Sequence, residues 1–216
     1  MMTDGETVLW EQLEAKNSNS ICSRAGARYD PKSGIYILTC FGETVQVEPK
    51  QKRVEAVTGR GTDSAGSDII GPDIIGMLLS VQRDQFIPAL LAYLVYAEGN
   101  AVTGELVAPR DLSGGQIYRQ GAHQLPLGRL AENYQHNEKQ FSDQVSKLGG
   151  HVLDYGDYSF RLFPFPKLPV TLVLWKEDEE FPSRADFLFD TSCRGQFPPD
   201  VLWGIASFCV ELLLIK

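Results

Sequence analysis

The residues best suited to chemistry lie near the C-terminus, in Trp175-Lys-Glu-Asp-Glu-Glu-Phe-Pro182 and the following Phe187-Leu-Phe-Asp190. Glu177, Asp178, Glu179 and Glu180 are consecutive carboxylates, and paired carboxylates serve as general acid and base or bind a hard cation. Asp190, at the end of a predicted strand, completes such a group if the flanking strands form a hairpin. Two competing readings are a solvated hairpin tip and a polar surface that meets another protein. An EF-hand loop is excluded, because no Asp-x-Asp-x-Asp-Gly frame exists. Gly114-Gly115-Gln-Ile-Tyr118-Arg119 is a second candidate. Adjacent glycines let backbone N–H groups approach an anion, and Arg119 can clamp a carboxylate or phosphate. A plain turn with Arg119 paired to the acidic run fits the same residues. Trp175 and Tyr155 either line a pocket or pack as core aromatics. The candidate ligand-binding set is therefore Tyr118, Arg119, Trp175, Asp178, Glu179, Glu180 and Asp190. No residue is assigned as catalytic or as a metal ligand.

Other motifs each lack a residue that their mechanism requires. Gly61-x4-Gly66 is followed by Ser67-Asp68, so the lysine of a phosphate-binding loop is missing. Gly59-Arg-Gly61 reaches Ser64 where a dinucleotide loop needs its third glycine. Ser80, Ser113 and Ser192 lack a Gly-x-Ser-x-Gly elbow, and His123, His136 and His151 share no ligand spacing. The four cysteines, Cys22, Cys40, Cys193 and Cys209, include no Cys-x-x-Cys pair. They read as free thiols of a reducing cytoplasm, with Cys209 in the core and Cys22 or Cys193 open to reaction.

The charge balance narrows the partners. A net charge of −8 and a pI near 4.9 disfavour nucleic acid and anionic membrane surfaces, both of which call for a basic face. The best basic stretch, Lys50-Gln-Lys52-Arg53, is flanked by Glu48 and Glu55. The longest apolar run, Phe86 to Ala97, is about twelve residues and contains Pro88, whereas a membrane span needs about twenty. The cofactor is unspecified, and the partner is a small molecule or a protein.

These residues must be positioned by elements that the periodicity reveals. Residues 6–16 suit an amphipathic helix resting on the main body. Tyr29-Asp-Pro-Lys-Ser-Gly34, then Ile35 to Phe41 and Thr44 to Val47, read as a small antiparallel meander with a turn at Gly42-Glu43. Residues 58–76 form a flexible glycine-rich loop that includes the near-duplication Asp68-Ile-Ile-Gly-Pro72 and Asp73-Ile-Ile-Gly-Met77. A helix follows from about Asp84 or Pro88 to Ala97. Leu130, Tyr134, Phe141, Val145 and Leu148 predict one helix from about Arg129 to Leu148, closed by Gly149-Gly150. Strands are expected over Tyr158–Phe163, Pro169–Trp175 and Ala185–Phe189. Pro198-Pro199-Asp200 opens a last, apolar helix. The predicted class is α+β: a single domain with a mixed, mainly antiparallel sheet packed by three to four helices. Residues 1–24 are its N-terminal helix and lead-in, and 25–216 its body.

One family resemblance emerges from these motifs in order: Leu91-Ala-Tyr-Leu94, Thr103-Gly-Glu-Leu106, Leu112-Ser-Gly-Gly115 with Tyr118, Gly156-Asp157, Leu168-Pro-Val-Thr171, Leu174 through Pro182, and Leu188-Phe-Asp190. Over roughly residues 25–214 the chain resembles the family catalogued as domain of unknown function 3786, seen mainly in anaerobic bacteria and archaea. The resemblance implies a single domain in a setting rich in iron–sulfur and corrinoid cofactors, and it assigns no catalytic residue. Some relatives carry an added cysteine-rich segment that this chain lacks. Three functions are thus expected to compete. The first is a non-catalytic accessory or ligand-binding domain serving anaerobic cofactor metabolism. The second is a metal-dependent enzyme using Asp178, Glu179, Glu180 and Asp190, with Arg119 on an anionic substrate. The third is a protein-interaction module with an acidic tip.

Overall fold

The helical period of the first residues gives way to strand alternation after a left-handed glycine, Gly26, which closes the second of two short helices. In the computed structural model, which describes residues 2–57, 61, 62, 68, 69, 73–115 and 124–215, α1 spans Asp4–Ala15 and α2 spans Ser18–Ala25. Thr3 and Asn17 cap them through side-chain oxygens that accept from Glu6 N and Ser20 N, as short polar residues do at helix starts. Four strands follow, β1 (Arg28–Asp30), β2 (Ile35–Cys40), β3 (Glu43–Glu48) and β4 (Arg53–Val57), in an antiparallel sheet of sequential order. The expected meander is present, with its turn one residue earlier. Cys40 pairs with Glu43, so Phe41 and Gly42 form the two-residue loop, both with positive φ (50° and 80°). Phe41 tolerates this backbone because its ring is fully buried, edge-on to Phe208.

Gly61–Thr62 (β5) and Asp68–Ile69 (β6) pair as a two-stranded ribbon. The rest of the expected 58–76 loop, apart from its last four residues, lies outside the described residues. Those four hold a correction: Asp73 caps a helix, α3 (Ile74–Val81), by accepting from Gly76 N. Glu43 of β3 adds a remote cap, with Oε1 and Oε2 accepting from Ile74 N and Ile75 N at 2.9 and 3.0 Å. Of the duplicated Asp-Ile-Ile-Gly units, the second is helical because a carboxylate from another element meets its free N–H groups.

Gln82 separates α3 from α4 (Arg83–Tyr96) at a bend of 114°. Helix α4 is apolar on all sides and forms the centre of the core, from Phe86 and Ile87 through Ala89 to Val95. No single helix among the described residues is long and apolar enough to cross a membrane. The Tyr93 hydroxyl ties three elements together. It donates to Ala25 O at the end of α2 and accepts from Lys167 N, while its ring stacks on Phe165 at 4.7 Å.

The second sheet contains β7 (Leu106–Val107), β8 (His151–Leu153), β9 (Tyr158–Phe165), β10 (Leu168–Trp175) and β11 (Arg184–Asp190). Its order is β7-β11-β10-β9-β8, every pairing antiparallel. Pro164 and Pro169 lie inside β9 and β10 rather than in the link, which is only Pro166-Lys167. The register slips between Leu168 and Val170, as prolines without an N–H allow at an irregular pairing. The two sheets join where Phe41 N donates to Phe163 O.

The expected 129–148 helix is two helices, α5 (Leu127–Tyr134) and α6 (Glu138–Lys147). Asn137 breaks it by capping α6, accepting from Gln140 N. The apolar spacing survived the break because Tyr134 and Phe141 still meet in the same core, with ring centroids 4.8 Å apart and planes tilted by 32°. Helix α7 (Pro199–Leu214) closes the fold against α4, α5 and α6. The chain is thus one α+β domain around one core, with seven α-helices among the described residues in place of three to four.

Candidate functional site

The β10–β11 hairpin ends at the pair Trp175–Arg184, so residues 176–183 form its turn. Asp178 is committed to that turn. Its Oδ1 accepts from Glu180 N and Phe181 N, both at 2.8 Å, while its own N–H donates to Phe181 O. Glu177, Glu179 and Glu180 point into solvent, and Glu177 stands 3.4 Å from His136 Nε2.

Asp190 lies at the other end of β11, six residues on, or roughly 20 Å at ~3.3 Å per residue. It is 2% exposed, and no ion pair reaches it among the described residues. Oδ1 accepts from Thr103 N, Thr103 Oγ1 and Ser192 N, and Oδ2 accepts from Gly104 N at 2.7 Å. Burial alone would raise its pKa, but the hydrogen bonds from Ser192, Thr103 and Gly104 outweigh it and hold the carboxyl below the ordinary range. Asp190 therefore clasps the 103–104 turn and opens the 3-10 turn Thr191–Cys193. The carboxylates of the metal-enzyme reading are not brought together. Among the described residues no group of three or more His, Cys, Asp or Glu side chains is arranged to hold a metal ion. The four cysteines accordingly do not fit an iron–sulfur cluster within this chain. Tyr118, Arg119 and His123 lie outside the described residues.

The thiols follow from burial. Cys193 lines a recess of about 480 Å³ with Asp111, Ser113 and Arg194, yet the side chain is buried. Burial first, and the Asp190 charge second, push its thiol up to about 12. The half-buried Cys22 is also raised by burial, so neither residue is poised as a thiolate nucleophile.

Trp175 does not line a described cleft itself, but it bonds a cleft residue that the sequence motifs did not single out. Its Nε1 donates to Asp186 Oδ2 at 3.1 Å, and the Arg184 guanidinium lies 4.7 Å over its ring. Arg184, Asp186 and Leu188 alternate along β11 on the face opposite Phe187 and Phe189. Asp186 and its strand neighbours form one wall of a cleft of about 520 Å³. Residues 108–110, after β7, form a second wall, and Gln124, Leu125 and Gly128 at the start of α5 form the third. The cleft exists because β7 is short. It pairs only with Phe189 and Asp190, so the edge of β11 from Arg184 to Leu188 has no strand partner among the described residues. The Asp186 carboxylate, Gln124 and Arg110 thus line the cleft together with the apolar Leu125, Leu127 and Leu188. The available signal in the sequence was an aspartate in mid-strand, a position that β structure disfavours.

Fold and site together define a two-sheet α+β domain with a cleft at the open edge of its larger sheet. That sheet and its helices fall inside the one recognised region. The chain belongs to the family described as Domain of unknown function (DUF3786), whose family model matches residues 83–212. No curated protein and no solved structure matches it.

Proposed function

We propose that the chain is a non-catalytic accessory domain that binds a small amphiphilic molecule in the β11 cleft. The observation that carries this reading is the cleft itself. At about 520 Å³ it falls within the range of drug-sized ligand pockets, and both polar and apolar side chains line it. Trp175 holds Asp186 in orientation, as a recognition carboxylate needs, and the edge of β11 that no described strand pairs offers backbone partners. The anaerobic cofactor setting implied by the family resemblance supplies the first probes, corrinoids and tetrapyrrole fragments, tested beside smaller amphiphiles.

Melting temperature is read against that panel, followed by amide chemical shifts. A binder should raise the melting temperature and shift the amides of Ala108, Arg110 and residues 186–188. Asp186→Asn should weaken it, and Gly128→Leu, placed where an added Cβ meets no atom within 4 Å, should block it with the fold retained. No stabilisation by any compound, or shifts confined to other residues, overturns the reading.

A second reading rests on the hairpin tip, where Phe181 is 65% exposed beside Glu177, Asp178, Glu179 and Glu180. An exposed aromatic ringed by acids suits a basic protein segment. Binding of a Lys/Arg-rich peptide that is lost on Phe181→Ser and weakened by salt supports it; binding indifferent to both removes it.

A further inference from the structure

We propose a second small-molecule site, remote from the β11 cleft, in the recess between α1, the β1–β2 hairpin and the turn at Pro49, for a ligand that presents a carboxylate or phosphate. The recess measures about 330 Å³, and every described residue lining it falls between Leu13 and Lys50. Those residues all precede the region that the family model matches.

The first observation is an unmatched donor. Tyr36 is 2% exposed as a residue and lines the recess, and no described residue hydrogen-bonds its hydroxyl. The hydroxyl is not sealed from solvent, so a ligand that enters the recess can accept its hydrogen in place of water. Its ring is fixed against Tyr29, with centroids 4.7 Å apart and planes tilted by 47°. Tyr29 lines the same space. Its hydroxyl stands 3.8 Å from where a Cβ on Gly34 would be, and Gly34 has the positive φ of 75° that this turn requires. Burial, then the neighbouring Tyr29 and Cys22, push the Tyr36 phenol up to about 12, so at neutral pH it is a donor.

The second observation is charge. Lys16 and Lys50 line the recess against a single acid, Glu14. Lys16 is held in place by donating to Val95 O at 2.7 Å and lying 5.7 Å over the Tyr96 ring, which leaves two ammonium hydrogens unassigned. Lys50 is exposed and forms no ion pair among the described residues. A phenol hydroxyl, two ammonium groups and the Ser18 hydroxyl all offer hydrogens, so the complementary ligand offers oxygen acceptors and negative charge. The space admits a molecule of modest size beside the tyrosine rings.

The test uses the full chain, with inorganic phosphate and benzoate as separate probes, followed by amide and tyrosine-ring chemical shifts at about 10 mM, well above a weak 1 mM Kd. A saturable shift confined to residues 13–50 is the expected result. Benzoate alone marks a carboxylate ligand, phosphate alone a phosphate ligand, and both the shared oxyanion chemistry. Tyr36→Phe removes only the unmatched hydroxyl, so it should weaken the binding probe about tenfold, one hydrogen bond's worth, with the melting temperature unchanged or higher. Lys50→Gln, on the surface, should weaken it several-fold without touching the core. Absence of a saturable shift with either probe overturns the proposal, as does Tyr36→Phe binding like the parent chain.

Discussion

Replacing Asp190 tests whether this carboxylate holds the chain together or holds a ligand. Asp190→Asn keeps the shape but turns one oxygen into an NH2 group. With Oδ1 retained to face Thr103 and Ser192, the new donor stands against Gly104 N–H, which now bonds Oδ2 at 2.7 Å. One charge-assisted bond is lost and three weaken, a cost of about 2–3 kcal/mol. Asp190→Ala leaves the Thr103, Gly104 and Ser192 amides unmatched near the core and should cost about 3–5 kcal/mol. For a chain of this length each kcal/mol lowers the melting temperature by roughly 2–4 °C, so the Asn variant should melt roughly 4–12 °C lower. The pH dependence gives an independent check. The folded carboxyl has a depressed pKa, so its contribution is fully present above the unfolded value of about 3.9 and is lost as pH falls through the folded one. The gap between parent and Asn variant should therefore be full at neutral pH and narrow only below about pH 4. Circular-dichroism melts across that range measure both. An Asn variant that melts with the parent refutes the clasp, and so does a gap that closes between pH 7 and 5.

Two glycines should respond in opposite directions. An Ala side chain at Gly150 would place its Cβ 2.3 Å from Val145 Cγ1 and 2.8 Å from Leu162 Cδ2, so Gly150→Ala should cost about 1–3 kcal/mol. At Gly5, inside α1, nothing lies within 4 Å, and Gly5→Ala should gain about 0.5–1 kcal/mol. Urea unfolding of the two variants checks the sign of each. The buried Glu6 carboxylate accepts from Trp10 Nε1 and from both terminal nitrogens of Arg83, joining α1 to α4. Arg83→Met should cost about 1–3 kcal/mol, below a fully buried pair because Arg83 is 38% exposed, and adding Glu6→Gln should restore part of the loss. Equal losses in the single and double variants would deny the coupling.

Where turn chemistry and alternation agree locally, the elements were legible: β2–β3, the β9 to β11 run and α7 lie close to where the residues place them. The failures share a physical cause. Helix α3 begins at Ile74 because Glu43, remote in sequence, reaches its first amides, and no local pattern contains that contact. The α5–α6 break depends on a single cap, Asn137, which the apolar spacing runs straight across. Asp190 resembled a cation ligand for the same reason, since its partners at Thr103 and Gly104 come from a distant segment.

The acidic residues around the hairpin can be sorted by what their oxygens already do. Asp178 binds the amides of its own turn, Asp157 binds Lys176 N at the end of β10, and Asp190 binds three amides and a hydroxyl. Each terminates or joins backbone, which is reason enough for an aspartate at that position. Asp186 differs. Among the described residues it accepts no backbone amide, it stands in mid-strand where aspartate is disfavoured, and its one described bond comes from the Trp175 indole. A carboxylate without a backbone duty, oriented by an aromatic and facing a cleft, has the form of a recognition group. The chemistry first suggested by the acidic run is therefore better sought one strand residue at a time, at Asp186 beside the open edge of β11, than at the four carboxylates of the tip.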